Sequence, residues 1–249
     1  SDIVDYMLDN QFNRLRREDL SINLVYPRAQ NALQEVLGLP GVIAAEGYRV
    51  VPIKIRFWNH QREITLSGWP DNAALRQRLD TNLHTIPLPV QGLLLSRFFS
   101  SAWGLRAGDQ IEIEFLEGRK NTSLVPVAGF TNDLVGIGAN MRIEGLWQLL
   151  QEEPAYNQIA ISAEPKRLNE LYSKLKTFPE VSSVALKAAL YRGFRSSFGK
   201  LIRSTTNVLM IASLLIALGI IYNSVRVSFS ERAWELASLR VLGFARAQV

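Results

Sequence analysis

Few residues of this sequence combine the types and the spacing that phosphate chemistry requires. A phosphate-binding loop has four residues between its glycines and a Ser or Thr after its lysine, because the amide cradle and the magnesium-binding hydroxyl depend on that spacing. Here five residues separate Gly193 from Gly199, and Leu201 follows Lys200. We therefore expect no ATP site in this stretch.

Metal ligands and acid-base pairs are equally sparse. The two histidines, His60 and His84, have no second ligand at the spacing of a metal site, so we expect both at the surface. The acidic pairs at 152–153 and at Glu112 and Glu114 have no partner that the sequence places opposite them, and we interpret them as solvated strand and turn residues. The chain has no cysteine, which excludes disulfides, thiolate nucleophiles and cysteine-bound zinc. The sequence thus predicts no catalytic, metal or cofactor-binding residue, and a protein that is not an enzyme.

The tryptophans offer a choice between binding and packing. They could line a groove for a lipid or a peptide, but large aromatic side chains are mostly buried. We therefore expect packing in the core or between lobes for Trp58, Trp69, Trp103 and Trp147.

Composition narrows the class of protein. With 249 residues, of which 47% are hydrophobic, the chain can bury a substantial core. The formal net charge is +5, but the basic residues are scattered instead of forming a block. This pattern argues against a nucleic-acid partner.

One apolar segment predicts membrane insertion. No charged residue lies between Arg203 and Arg226, and residues 204–225 exceed the roughly 20 positions that a transmembrane helix needs. A buried helix of a soluble protein is the alternative, which so long an uncharged run disfavours. Lys and Arg residues are about equally numerous before and after this segment, so their number does not predict which end of the helix is cytoplasmic.

A second, distinct helix is predicted after the span. Ser228 and Glu231 have the spacing of a capping box, and Gly243 is placed to end the helix that follows. Apolar residues recur there at helical spacing among charged ones, which is typical of an amphipathic helix at a membrane surface or on a partner.

This segment closely resembles the one that follows the second transmembrane helix of FtsX-like ABC-transporter permeases. The resemblance implies a cytoplasmic coupling segment, 226–249, that docks on a separate ATPase subunit, so that ATP binds the partner and no cofactor binds this chain. It also implies the bacterial cytoplasmic membrane, residues 1–200 outside, a second permease copy as dimer partner, and an envelope or periplasmic partner. The matching positions are Glu231, Arg232, Glu235, Leu236, Leu239, Arg240, Leu242 and Gly243.

The remaining sequence predicts an α+β external domain. Two stretches share the order strand, helix, proline, strand, with Pro27 and Pro40 around one helix and Pro165 and Pro179 around the other. They predict one split β-α-β, ferredoxin-like lobe from residues 21–85 and 155–200. One stripe of each helix should face the sheet: Leu33, Val36 and Leu37 in the first, and Leu168, Leu171 and Leu175 in the second.

Residues 86–154 predict an inserted, β-rich lobe. Leu93 to Leu95 and the alternating residues 110–115 are predicted strands, with turns at 108–109 and 117–118. This stretch is similar to the extracytoplasmic domain of MacB-type transporters, in which a β-rich lobe is inserted into an α+β lobe. The matching residues are Trp103, Gly104, Leu105, Gly108 and Asp109.

Residues 1–20 predict a helix that continues from a preceding, absent transmembrane helix, and we expect further membrane helices to flank the sequence. The function predicted is that of an ABC permease subunit for export or envelope signalling. Two alternatives stay open: a single-span, membrane-anchored binding or sensor domain, and a membrane-tethered hydrolase, which lacks a discernible nucleophile and base.

Overall fold

The computed structural model describes residues 17–78, 86–118, 120–131 and 137–241, with the backbone alone for 194–203 and 230–241. The chain divides into two compact units between Phe194 and Arg195. The strands are β1 Leu20–Ala29, β2 Val42–Phe57, β3 His60–Trp69, β4 Leu93–Ser96, β5 Gln110–Phe115, β6 Thr122–Thr131, β7 Gly138–Arg142, β8 Ala155–Ala163 and β9 Val181–Leu186. The helices are α1 Asn31–Leu37, α2 Arg97–Trp103, α3 Ile143–Leu150, α4 Leu168–Thr177 and α5 Lys187–Val241.

An antiparallel sheet with the order β2-β8-β1-β9 forms the α+β lobe. The helix α1 connects β1 to β2, and α4 connects β8 to β9, so both predicted β-α-β units are present. The central strand β1 pairs with both of its neighbours: Leu20 lies opposite Ile161 of β8 and opposite Leu186 of β9.

The core of this lobe lies between the sheet and the two connecting helices. Leu171 and Leu175 of α4 and Val36 of α1 are buried against the sheet residues Ile22 and Ile159, as the predicted stripes require. Burial of each such side chain contributes about 1.5–3 kcal/mol.

The predicted stripes need one correction. Leu33 and Leu168 pack against the same cluster, but Leu37 is exposed. The helix α1 has only seven residues, and Ala32 and Val36 define its buried face, so Leu37 points about 100° away.

The β-rich lobe is a closed barrel. Its strands follow the order β2-β3-β7-β4-β6-β5, and β5 pairs with β2 to complete the circle. Inward residues alternate along each strand, as in Val51, Ile53 and Ile55 of β2 and Ile111 and Ile113 of β5, and all five are fully buried. Closure removes the free sheet edges that an open sheet of this size would expose.

Strand β2 belongs to both lobes. Its first half, Val42 to Tyr48, pairs with β8, and its second half pairs with β3 and β5. The barrel therefore includes residues 49–69, which the sequence analysis assigned to the α+β lobe. Because a 16-residue strand extends past the edge of the smaller sheet, the insertion begins within β2 and the lobe is not a free-standing ferredoxin-like layer.

The chain on either side of these lobes differs from expectation. Of the predicted first helix, residues 1–16 lie outside the described part, and residues 17–19 are not helical because β1 follows at once.

The predicted separation of a membrane helix from a second helix at Ser228 is wrong, since α5 is a single helix of 55 residues. No glycine or proline interrupts 220–241, and a serine that has helical backbone angles does not act as an N-cap.

Candidate membrane-spanning and coupling segment

The helix α5 contains a segment that is long and apolar enough to cross a membrane. This segment, Ser204–Phe229, has 26 residues and a mean hydropathy of 2.2, and Arg226 is its only charged residue. At 1.5 Å per residue it is about 39 Å long, which exceeds the roughly 30 Å of a hydrocarbon core.

The apolar side chains of this segment are exposed on every side of the helix. Leu214, Leu215, Ile216 and Leu218 occupy successive directions around the axis, and each is more than half exposed. None of its most apolar part is buried by the described residues, whereas a core helix of a water-soluble protein would be covered by its own chain. Lipid or other membrane helices are the surroundings that suit such a surface.

The residues that carry the permease resemblance lie in the last turns of α5. Residues 231–241 continue the helix for about three turns, and six of the eight predicted coupling positions fall within them. Leu242 and Gly243 lie outside the described residues. The predicted coupling positions within α5 are Glu231, Arg232, Glu235, Leu236, Leu239 and Arg240.

At its other end α5 starts directly from the sheet. Lys187 follows β9 without a loop, and its amide N–H donates a 3.0 Å hydrogen bond to the carbonyl oxygen of Asp19. Since Leu20 and Leu186 are cross-strand partners, the chain enters and leaves the α+β lobe on adjacent strands. The first residue of α5 is therefore hydrogen-bonded to the residue directly before β1.

A buried ionic network secures the start of β1. The Nε of Arg76 donates to Oε1 of Glu18 at 2.8 Å, and the guanidinium lies 4.5 Å from the ring centre of Tyr48. The hydroxyl of Tyr48 donates to Glu46 at 2.7 Å. Burial, with this hydrogen bond to an acidic group as the next cause, raises the pKa of Tyr48 far above its ordinary value. Sequence analysis missed the network, because Glu18 and Arg76 are 58 positions apart.

A second buried cation links the barrel to the α+β lobe. Arg49, at the point where β2 passes between them, is 2% exposed. Its guanidinium donates to Glu152 at 2.6 and 3.2 Å and to Glu117 at 3.1 Å. Burial alone would lower the pKa of Arg49, but the hydrogen bonds and negative charges of these two residues outweigh it and raise the pKa.

Three of the four acidic residues considered for catalysis are engaged in ion pairs, and the fourth, Glu153, is exposed. Glu152 binds Arg49, while Glu112 and Glu114 bind Arg56 at 2.9 and 2.7 Å. They are therefore not merely solvated, as the sequence analysis had interpreted them. Each of these three carboxylates accepts a charge-assisted hydrogen bond from a guanidinium.

The candidate phosphate and metal residues are not brought together. Gly193, Gly199 and Lys200 lie on the helical backbone of α5, which cannot form a phosphate-binding loop. His60 is exposed and stacks on Trp103 with the ring centres 5.4 Å apart. His84 lies outside the described residues, and within those described no three His, Asp or Glu side chains gather as a metal site would require.

Of the four tryptophans for which the sequence predicts packing, three pack as expected and one does not. Trp147 is buried, and Trp69 and Trp103 are half-buried against the hydrophobic clusters. Trp58 is 90% exposed and has a φ of 52° at the two-residue tip of the β2–β3 hairpin. The expectation of burial is wrong for Trp58, because its place in a tight turn directs the side chain into solvent.

Comparison with known proteins gives similarity at the level of structure. No protein-family model matches the chain, and no curated protein matches it. One similar solved structure is the extracellular domain of the noncanonic ABC-type transporter YknZ from Gram-positive bacteria, with 12% identity, a TM-score of 0.44, and coverage of 66% of this chain and 100% of that one. Another is the periplasmic region of MacB from Actinobacillus actinomycetemcomitans, with 9% identity, a TM-score of 0.45, and coverage of 76% and 98%. The first is described as an extracellular domain and the second as a periplasmic region.

Proposed function

We propose that this chain is part of the permease subunit of an ABC transporter, with residues 17–186 as its extracytoplasmic domain and the end of α5 as its contact with an ATPase subunit. ATP would bind the partner, and no residue of this chain would do covalent chemistry. In this proposal the protein resides in the bacterial cytoplasmic membrane and works as a dimer.

The observation that carries the proposal is the continuity of α5. One uninterrupted helix extends from the edge strand β9 through an apolar segment of membrane-spanning length into residues 231–240, where the resemblance to FtsX-like permeases lies. A helix that is hydrogen-bonded throughout can transmit a displacement along its axis, whereas a flexible linker would absorb it.

The pairing at the base of α5 supports a mechanical role. Because β9 lies beside β1, and β1 beside β8, a movement of α5 would displace the whole four-stranded sheet. Strand β2 would pass this displacement to the barrel, and the Arg49 ion pairs would hold the two lobes together. The output is a movement of the external domain, used either to expel a cargo or to signal to an envelope partner.

The test is co-purification of the chain with ABC ATPase subunits from membranes. We expect Glu235→Lys and Arg240→Glu each to abolish capture of an ATPase that the unchanged chain retains. Glu170→Lys is the matched control, because it reverses an exposed charge on α4 in the external lobe. Capture that survives both reversals, or is lost equally in the control, would refute the proposal.

A membrane-anchored binding domain is the second candidate, and one observation favours it. The α+β lobe contains an apolar cavity lined by residues of β1, α1, α4 and β9. Such a domain would bind its ligand without any ATPase, so residues 231–240 would be dispensable for every partner contact.

A further inference from the structure

The two helices of the α+β lobe leave a cavity between them on the sheet. Its volume is about 290 Å³, just below the range of about 300–1,000 Å³ for small-molecule sites. The close-packed interiors of proteins have few voids larger than a single water, which needs about 10–15 Å³, so this space is large by comparison.

The inside of the cavity is apolar. Its floor consists of Ile22, Ile159 and Leu175, which are each at most 1% exposed. Leu24 and Phe178 form the more exposed wall, and Phe178 is 37% exposed. Covering the exposed parts of Leu24 and Phe178 with a hydrocarbon group would remove apolar surface from water, which is favourable.

The rim of the cavity carries more negative than positive charges. Arg28 pairs with Glu35 of α1 at 3.3 Å and also with Glu180, the residue before β9. These three are the charged residues among those that line the cavity, and their formal charges sum to −1. Both carboxylates are more than half exposed, so their outer oxygens can accept further hydrogen bonds.

We propose that this cavity binds the apolar tail of a cationic amphiphile, with the positive head group at Glu35 and Glu180. The floor and walls match a short hydrocarbon chain, and the rim selects against an anionic head group. The proposal concerns the external lobe alone and does not depend on coupling to an ATPase.

The test uses photoreactive amphiphiles on the whole chain in polymer-bounded membrane particles. Three probes share a ten-carbon tail with a diazirine and differ in the head group, which is trimethylammonium, carboxylate or a neutral hydroxyl. Labelled peptides are mapped by mass spectrometry. Labelling of Ser204–Phe229 serves as the internal standard for the amount of each probe in the lipid.

We expect the cationic probe to label peptides from α1 and from residues 175–181 at least about fivefold more than the anionic probe, after normalisation. Equal labelling by all three probes, or labelling of the lobe elsewhere, would overturn the proposal.

Two variants separate the cavity from the surface. Ala32, which lines the cavity and is 4% exposed, becomes leucine to fill it, and Ala102→Leu on α2 is the control at an exposed position. Ala32→Leu should abolish labelling of the lobe but not of the membrane segment. Unchanged labelling in Ala32→Leu would contradict the proposal.

A second variant tests the rim and stays informative even if Ala32→Leu does not fold. Replacing both carboxylates, Glu35→Gln with Glu180→Gln, changes the formal rim charge from −1 to +1 at exposed positions. The preference among probes should then reverse toward the carboxylate. Persistence of the cationic preference would show that the rim does not recognise the head group.

Discussion

The amide N–H of Lys187, the first residue of α5, donates a 3.0 Å hydrogen bond to the carbonyl oxygen of Asp19, directly before β1. The two ends of the external domain are therefore joined by main-chain hydrogen bonds. This hydrogen bond continues the pairing of β1 with β9 by one residue, into the base of α5.

A pair of cysteines tests this junction. Ser21 and Ala185 are cross-strand partners, and antiparallel partners have Cα atoms about 4.5–5.5 Å apart, within the range of disulfides. Because the chain has no other cysteine, Ser21→Cys with Ala185→Cys should oxidise to one disulfide, detected by gel mobility and by loss of free thiols. The control pair, Ser101→Cys with Ala185→Cys, should stay reduced. Free thiols in the first pair after oxidation would contradict the junction.

The burial of Arg49 predicts which of two variants loses more stability. Removing both of its partners, Glu117→Gln with Glu152→Gln, leaves a buried cation without a counter-charge and should lower the free energy of unfolding by about 3–5 kcal/mol. Arg49→Met removes the charge and keeps most of the volume, so it should cost less. Chemical denaturation of the chain measures both. A larger loss in Arg49→Met would show that packing, and not charge compensation, dominates at this position.

Tyr48 predicts a loss of stability at alkaline pH. Burial raises the pKa of Tyr48 in the folded chain above the value of about 10 in the unfolded chain, so the unfolded state loses its proton first. The stability that Tyr48 contributes is complete below pH 10 and falls as the pH rises further.

The comparison is between the chain and its Tyr48→Phe variant from pH 8 to 11. The difference in unfolding free energy should be constant to about pH 10 and then decrease by about 1.4 kcal/mol per pH unit. Tyr26→Phe, at a side chain that is 77% exposed, is the control for the loss of a tyrosine hydroxyl. A difference that does not change with pH would refute the role assigned to Tyr48.

Insertion of α5 into lipid predicts a dependence on position. Ile216→Arg places a charge near the middle of the span, which costs about 2.5–3.5 kcal/mol on the insertion scale, whereas Val227→Arg lies near its end. Alkaline carbonate extraction of membranes should release Ile216→Arg and retain Val227→Arg. Equal retention of both would mean that the segment does not span the bilayer.

Local features of the fold were predictable from sequence, and long-range ones were not. The β-α-β units and the strand at Gln110–Phe115 followed from periodicity and from turn residues such as Gly108, which has a φ of 97°. Closure of the barrel depends on pairing between β2 and β5. The partners of Arg49 include Glu152, 103 positions away, which no local pattern reveals.

The candidate sites also divide into local features that the sequence predicts and long-range ones that it does not. The apolar span was evident from composition, because lipid and a helix impose length and hydropathy together. The apparent capping box at Ser228 led to the wrong prediction of a new helix, since without a glycine or proline the helix continues through this position. The cavity could not be foreseen, because it depends on the separation of α1 and α4 across the sheet and not on residue types.

The measurement that tests the central claim most directly is a photo-crosslinking scan along residues 228–241 of the membrane-embedded chain, with one photoreactive amino acid at a time. We predict crosslinks to an ABC ATPase subunit that recur every three or four positions and include Glu235, Leu236 and Leu239, because one face of the helix would contact the partner. An absence of ATPase crosslinks at all positions, or crosslinks without helical spacing, would contradict the coupling of α5 to an ATPase.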